Sequence, residues 1–198
     1  MTLLITGFEP FGGETVNPSW EAVKLLPDSI GPHRICKLQV PVVFGLAADC
    51  VIAAAEELRP ERILCVGQAG GRPAMTPERV ALNLRDASIP DNAGAQPCDE
   101  PVIPGRPAAY FSTLPVKSMA GAIRAAGVPA AVSLSAGSFV CNELLYRLLD
   151  RYAASSTQVG FLHVPFLPEQ AKNGQPFLTL EEITFGLLAA VTALAEEA

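Results

Sequence analysis

The sequence predicts an α/β fold in which one domain, residues 1–198, holds a mostly parallel, twisted sheet with helices on both faces. Short, uncharged apolar runs bounded by small residues are typical of buried parallel strands, and they alternate along the chain with longer helical segments. No internal repeat, low-complexity tract or linker-like stretch interrupts this alternation. A chain of 198 residues is long enough to bury a substantial core as one domain.

The predicted strands cover residues 2–6, 35–42, 62–66, 80–84, 128–134 and 158–164, and the predicted helices cover residues 18–26, 44–58, 116–126, 141–152 and 180–197. The first helix begins favourably, because Asn17 can cap it and Pro18 fits its first position. Residues 80–84 partly alternate between apolar and polar side chains, so this strand differs in kind from the buried ones. Residues 89–107 are rich in proline, glycine and aspartate, which predicts an ordered surface loop. The fourth helix has one apolar face, formed by Leu144, Leu145, Leu148, Leu149 and Tyr152.

Composition excludes several classes of function. Charged residues make up 17% of the chain and the net charge is -6, which argues against nucleic acid as a partner because phosphate binding needs a basic patch. The longest apolar stretch, residues 185–195, is too short to span a membrane, and the first residues lack the basic lead of a signal peptide. The five cysteines are odd in number and scattered, which argues against a disulfide scaffold or a zinc site. We expect a reduced, cytoplasmic, soluble protein.

Cys141 is the first candidate for chemistry, because it lies at the head of the fourth helix. Unpaired backbone N–H groups and the positive end of the helix dipole favour a thiolate there, and the same amides can hold a developing oxyanion. The alternative is a small apolar residue that continues the apolar face of the helix.

Two histidines are present, and His33 lies in an evident surface turn. His163 ends a predicted strand, so the topology allows it to pair with Cys141 at the carboxyl edge of the sheet, where Glu78 is also expected. A Cys–His pair is a nucleophile and base that can cleave an amide, and a third, acidic group would orient the imidazole. Sequence position alone does not choose that acid among 20 carboxylates. The alternative for His163 is a core histidine bonded to backbone.

The glycine-rich loop at residues 7–13 follows a strand and precedes a helix, as a phosphate-binding loop does. It lacks the glycine and lysine spacing of such loops and carries Glu9, so a nucleotide site is not expected. Phe8 and Phe11 suggest an apolar slot for a small flat group, or else ordinary anchoring of the loop in the core.

Several sequence blocks, in order, resemble the pyroglutamyl peptidase type I family of cysteine peptidases over essentially the full length. They are TGFEPFGG (6–13), VPVVF (40–44), TPERVALN (76–83), IPDN (89–92), AYFSTLP (109–115), AGSFVCN (136–142) and GFLHVP (160–165). The resemblance implies an α/β/α sandwich that assembles into dimers or tetramers and removes N-terminal pyroglutamate from peptides without a metal or cofactor. It implies that Cys141 is the nucleophile, His163 its base and Glu78 the orienting acid.

The resemblance further implies that Phe8, Phe11, Asn17 and Gln68 form the pocket for the lactam ring. Two details depart from the family pattern: Ser88 stands where an arginine is common, and the segment between Tyr152 and Gly160 is short. Two other functions therefore stay open. One is an amidase or acyl transferase acting on another small amide, and the other is a catalytically impaired homologue that binds pyroglutamyl termini.

Overall fold

A six-stranded mixed sheet runs through the centre of the computed structural model, which describes residues 1–196. The strands are β1 (Thr2–Phe8), β2 (Ser29–Ile30), β3 (His33–Val40), β4 (Arg62–Gln68), β5 (Thr76–Pro77), β6 (Val80–Leu82), β7 (Ala109–Phe111) and β8 (Gln158–Val164). The helices are α1 (Pro18–Lys24), α2 (Leu46–Leu58), α3 (Val116–Ala125), α4 (Val140–Arg151) and α5 (Leu180–Glu196).

The strand order in the sheet is β2-β3-β1-β4-β8-β5. The four inner strands β3, β1, β4 and β8 are parallel, and the two-residue edge strands β2 and β5 are antiparallel to their neighbours. A separate antiparallel pair is formed by β6 and β7. The predicted mostly parallel sheet is therefore confirmed. The alternating segment that begins at Val80 forms an antiparallel strand outside this sheet, so it differs from the buried strands, as expected.

Helices cover both faces of the sheet, and each face has its own apolar core. Successive side chains of a strand point to opposite faces, so Leu64 and Val66 of β4 pack with α1, α3 and α5, while Ile63 and Cys65 pack with α2 and α4. This arrangement is the predicted α/β/α sandwich. Within residues 1–196, no helix is long and apolar enough to cross a membrane.

The predicted buried strand at residues 128–134 is wrong. This segment lies at the sheet edge, where it makes only isolated parallel bridges, Ala130 with Met75 and Ser133 with Glu78, and Leu134 is 75% exposed. Val128 is buried in the core, as in a buried strand, but the backbone of the segment forms bridges on one side only. The short strands β2, β5 and β7 were not predicted. For the last helix, the predicted final residue, Glu197, lies outside the described residues.

Candidate active site

A cavity of about 160 Å³ opens at the carboxyl ends of β1, β4 and β8. Parallel strands place the residues that follow them at one edge of the sheet, which is why distant parts of the sequence meet here. Six of the seven predicted site residues line this cavity: Phe8, Phe11, Asn17, Gln68, Cys141 and His163. The seventh, Glu78, lies behind His163.

Cys141 is the second residue of α4, and its position is fixed by its neighbour Asn142. The buried Asn142 side chain donates to the carbonyl oxygens of Leu82 and Leu84 at 2.9 Å and accepts from the N–H of Leu82 at 2.8 Å. These bonds pin the start of α4 to β6. Phe139 precedes the helix and gives no side-chain cap, so the amides of the first turn are left available for an oxyanion.

Gly67 lets the sulfur of Cys141 approach the sheet. A Cβ atom on Gly67 would lie 2.9 Å from Cys141 Sγ and 2.7 Å from Cζ of Phe161, which is closer than real contacts allow. Gly67 of β4 is paired in register with His163 of the neighbouring strand β8. Neighbouring strands lie about 4.8 Å apart, so His163 lies next to Gly67, the residue that Cys141 Sγ approaches.

Glu78 fixes the tautomer of His163. Oε1 of the fully buried Glu78 lies 2.7 Å from Nδ1 of His163. Because a carboxylate oxygen accepts, Nδ1 carries the proton and donates, which leaves Nε2 with a free lone pair. The arrangement supplies a base with its acceptor nitrogen free and its ring oriented by a carboxylate.

Arg72 is a further member of this cluster, and sequence reasoning missed it. Its Nη1 donates to the same Oε1 of Glu78 at 2.5 Å and to Thr76 Oγ1 at 2.6 Å, and its Nη2 donates to the carbonyl oxygen of Ser135 at 3.0 Å. The guanidinium therefore ties Glu78 to the loop that leads into α4. A loop arginine beside two glycines carries no sequence signal of this contact, because the loop geometry alone creates it.

The pKa shifts of Cys141 and His163 both favour the uncharged forms, a thiol and a neutral imidazole. Burial, together with the Glu78 carboxylate, raises the pKa of Cys141 to about 12. Burial also lowers the pKa of His163 against the opposing pull of Glu78. Burial works to raise the pKa of Glu78, but its bonds to His163 and Arg72 outweigh this and hold it below the usual range. Burial therefore outweighs the thiolate-favouring effect expected of the helix start, and the shift in the pKa of Cys141 favours the thiol form.

Part of the cavity wall is aromatic, formed by Phe8, Phe11 and Phe139. Phe139 and Phe11 have ring centroids 6.2 Å apart, and Phe44 packs edge-on against Phe139 at 5.3 Å. Phe8 is 2% exposed, and its ring centroid lies 6.3 Å from that of the buried Phe161. Phe8 therefore both lines the cavity and anchors its loop in the core. Sequence reasoning did not single out Phe139, although it lies two residues before Cys141.

The polar groups of Asn17 are engaged within the protein. Its Oδ1 accepts from the backbone N–H and the hydroxyl of Ser19, and its Nδ2 donates to the carbonyl oxygen of Glu9 at 2.9 Å. Asn17 thus caps α1, as predicted, and shapes the cavity wall. Ser88 is exposed and does not line the cavity. Within residues 1–196, no group of three or more His, Cys, Asp or Glu side chains is arranged to hold a metal ion.

Comparison with known proteins gives consistent matches along the chain. The family model for pyroglutamyl peptidase matches residues 1–197. The chain is 52% identical over 198 residues to the pyrrolidone-carboxylate peptidase of Levilactobacillus brevis, with 98% of this chain and 97% of that protein covered.

Solved structures agree with this match. The crystal structure of pyroglutamyl peptidase I from Bacillus amyloliquefaciens superposes with a TM-score of 0.93 at 50% identity, covering 97% of this chain and 94% of that chain. A mutant pyrrolidone carboxyl peptidase from Pyrococcus furiosus superposes with a TM-score of 0.95 at 40% identity, covering 100% and 99% of the two chains. Full-length similarity of both sequence and fold shows that this chain belongs to the pyroglutamyl peptidase family of cysteine-type hydrolases.

Proposed function

We propose that this chain hydrolyses the amide bond that follows an N-terminal pyroglutamyl residue, with Cys141, His163 and Glu78 as its catalytic triad. The observation that carries this proposal is the shared cavity: Cys141, at the start of α4, and His163, held at Nδ1 by Glu78 at 2.7 Å, line the same space. Names of relatives at about 50% identity support the same activity. No observed feature favours the amidase or the impaired homologue over the peptidase.

The reaction begins with a neutral thiol and a neutral imidazole. Cys141 Sγ attacks the pyroglutamyl carbonyl carbon while His163 Nε2 takes the thiol proton. The resulting imidazolium is stabilised by the Glu78 carboxylate, and the first-turn amides of α4 stabilise the oxyanion. When the tetrahedral intermediate collapses, the C–N bond breaks and His163 delivers its proton to the departing amine.

Hydrolysis of the thioester completes the cycle. His163, neutral again, takes a proton from a water molecule as the water oxygen attacks the acyl carbon. Collapse of this second intermediate breaks the C–S bond, and the proton returns to the sulfur of Cys141. The products are free pyroglutamate and the shortened peptide, and the site regains its neutral pair.

The pocket accepts the ring on apolar faces and distinguishes it at its polar edge. Phe8, Phe11 and Phe139 contact a flat ring equally well whether it is a lactam or a pyrrolidine. Gln68 lines the same cavity and supplies an amide for the lactam edge. A prolyl ring lacks the carbonyl and carries a charged amine, which is costly to place in an apolar slot.

We also propose that the chain acts as a single catalytic domain in the cytoplasm, as a homo-oligomer and without a cofactor. All five cysteines are free in the structure, in keeping with a reducing compartment. Exposed apolar side chains, Leu25 and Phe185 at 55% each, support association. Light scattering after size-exclusion chromatography tests the assembly, and a monomer at micromolar concentration contradicts it.

Hydrolysis of pyroglutamyl-7-amido-4-methylcoumarin tests the activity, with the prolyl analogue as the matched substrate. We expect release of the fluorophore from the pyroglutamyl reporter, at a kcat/KM at least about 10⁴-fold above that for the prolyl reporter. Comparable values on both reporters contradict the pocket assignment. Binding without turnover would indicate the impaired homologue, and turnover of other small amides in preference would indicate the amidase.

A further inference from the structure

A second glutamine, Gln170, lies behind the cavity and holds the amide of Gln68. Gln170 is 3% exposed and is not part of the cavity wall. Its Nε2 donates to Gln68 Oε1 at 3.1 Å and to the carbonyl oxygen of Val16 at 3.3 Å. Its Oε1 accepts from the backbone N–H of Leu167 at 3.1 Å. The Gln170 side chain therefore joins the end of β4, the segment before α1 and the turn after β8.

The polarity of these bonds is set by the backbone. The N–H of Leu167 can only donate, so the oxygen of the Gln170 amide must face it. The carbonyl of Val16 can only accept, so the NH2 group of Gln170 must face Val16 and Gln68. Gln68 must then turn its own oxygen toward Gln170, because two NH2 groups cannot bond to each other. Both amide orientations thus follow from two backbone groups.

The NH2 group of Gln68 is consequently directed away from Gln170. Gln68 lines the cavity, and among residues 1–196 the hydrogen bond of its side chain is the one that its Oε1 accepts from Gln170, so its Nε2 donates to no protein group. Since an amide NH2 only donates, the cavity offers a fixed donor at this point. A fixed donor binds a carbonyl oxygen and rejects a group that itself donates or carries no lone pair.

We propose that Gln170 is a positioning residue that sets the specificity of the site. It holds Gln68 so that the NH2 group of Gln68 donates a hydrogen bond to the carbonyl oxygen of the lactam ring. This role rests on the proposed function, because it names the group of the pyroglutamyl ring that Gln68 reads. The lactam carbonyl does not change during cleavage of the scissile bond. The hydrogen bond is therefore equally strong in the ground state and the transition state, and its loss raises KM while leaving kcat nearly unchanged.

The substitution Gln170→Glu tests this role. A carboxylate at position 170 still accepts from Leu167 but cannot donate, so Gln68 turns its NH2 group toward it and presents Oε1 to the cavity. We expect KM for the pyroglutamyl reporter to rise about 10- to 100-fold, the effect of one buried carbonyl left without a donor, with kcat within about threefold of wild type.

Gln175→Glu is the matched control. Gln175 Oε1 accepts from the backbone N–H three residues earlier, that of Lys172, at 3.1 Å, as Gln170 does from Leu167, but Gln175 is exposed and away from the cavity. We expect its KM to equal that of wild type. An equal KM in the two variants overturns the role of Gln170, and so does a loss confined to kcat.

A double-mutant cycle shows whether Gln170 acts through Gln68. Gln68→Met removes the donor, so adding Gln170→Glu to it should raise KM no further, whereas independent effects that multiply contradict the role. If Gln170→Glu does not fold, a crystal structure of the wild type with 2-pyrrolidone decides the question. We expect the lactam oxygen within hydrogen-bond distance of Gln68 Nε2, and an inverted or absent ring overturns the inference.

The two proposals fail in different ways. A wild type that does not hydrolyse the pyroglutamyl reporter contradicts the proposed function, and the 2-pyrrolidone complex still tests the orientation of Gln68. A wild type that hydrolyses the reporter while Gln170→Glu leaves its KM unchanged contradicts only the role of Gln170.

Discussion

Replacing Glu78 by glutamine separates the charge of the proposed orienting acid from its geometry. The amide that Glu78→Gln introduces has two orientations: its oxygen or its NH2 group can face His163. Arg72 decides between them, because its Nη1 donates to the same atom, Oε1, at 2.5 Å. An NH2 group there would meet another donor, so the amide oxygen takes that place and still accepts from His163 Nδ1. The tautomer of His163 is thereby kept, and only the negative charge is lost.

The size of the loss follows from the kind of hydrogen bond. A bond to a charged group contributes about 1.5–3 kcal/mol and a neutral one about 0.5–1.5 kcal/mol. Glu78 is ionised at rest as well, so kcat depends on the added attraction between its carboxylate and the imidazolium that forms in the transition state. A loss of about 1–2 kcal/mol there corresponds to a fall in kcat of about 5- to 30-fold. KM should change little, because the ground state holds a neutral imidazole.

The measurement is steady-state hydrolysis of the pyroglutamyl reporter by Glu78→Gln, Arg72→Met and the double variant. Without Arg72 the amide can turn its NH2 group to His163 and invert the tautomer, so the double variant should lose far more kcat than the two single losses multiplied. Glu100→Gln is the matched control, since that carboxylate forms an exposed ion pair with Arg85 at 3.0 Å. A fall in kcat of about 10⁴-fold in Glu78→Gln alone, or less than about threefold, refutes this reasoning.

Three further predictions concern the same cluster. Cys141→Ala should fold with a melting temperature within a few degrees of wild type and lose turnover of the pyroglutamyl reporter; retained turnover contradicts its role as nucleophile. Because burial lowers the pKa of His163 from 6.5, the acid limb of kcat/KM should lie below pH 6.5, where protonation of His163 removes the base. The free energy of unfolding should decrease as the pH falls through the same range, because the unfolded chain binds that proton at higher pH. An acid limb above pH 6.5 argues against this. Gly67→Ala places a methyl group 2.7 Å from Phe161 Cζ and 2.9 Å from Cys141 Sγ, so kcat/KM should fall more than about tenfold, whereas Gly121→Ala, with open space around it in α3, should leave activity unchanged and stabilise the helix by about 0.5–1 kcal/mol.

The elements that the sequence predicts well are those whose residues are sorted by burial. β1, β4 and β8 are apolar because both of their faces are covered, and α4 has one buried face, so each pattern is visible in the chain. The two-residue strands β2 and β5 contain too few residues to show any period. Residues 128–134 were predicted as a strand that does not form, because an apolar segment can also lie at the sheet edge with isolated backbone bridges on one side.

The sequence likewise identifies some residues of the candidate site and misses others. Cys141 and His163 can be found because they are chemically rare in this chain and because strand topology brings them to one edge. The hydrogen bonds of Arg72 and Gln170 could not be predicted, since they join loops that are distant in sequence. The direction of the Cys141 pKa also lay beyond the sequence, because the depth of burial is a property of the packed fold.

Acylation of Cys141 is the most direct test of the account. A pyroglutamyl 4-nitrophenyl ester releases a better leaving group than an amide does, so thioester hydrolysis becomes the slower step and the acyl-enzyme accumulates. After a rapid acid quench, peptide mapping by mass spectrometry should locate one pyroglutamyl group on the peptide that contains Cys141, together with a burst of 4-nitrophenol of one equivalent per site. Turnover of the ester with no adduct, or with an adduct on another residue, would contradict nucleophilic catalysis by Cys141.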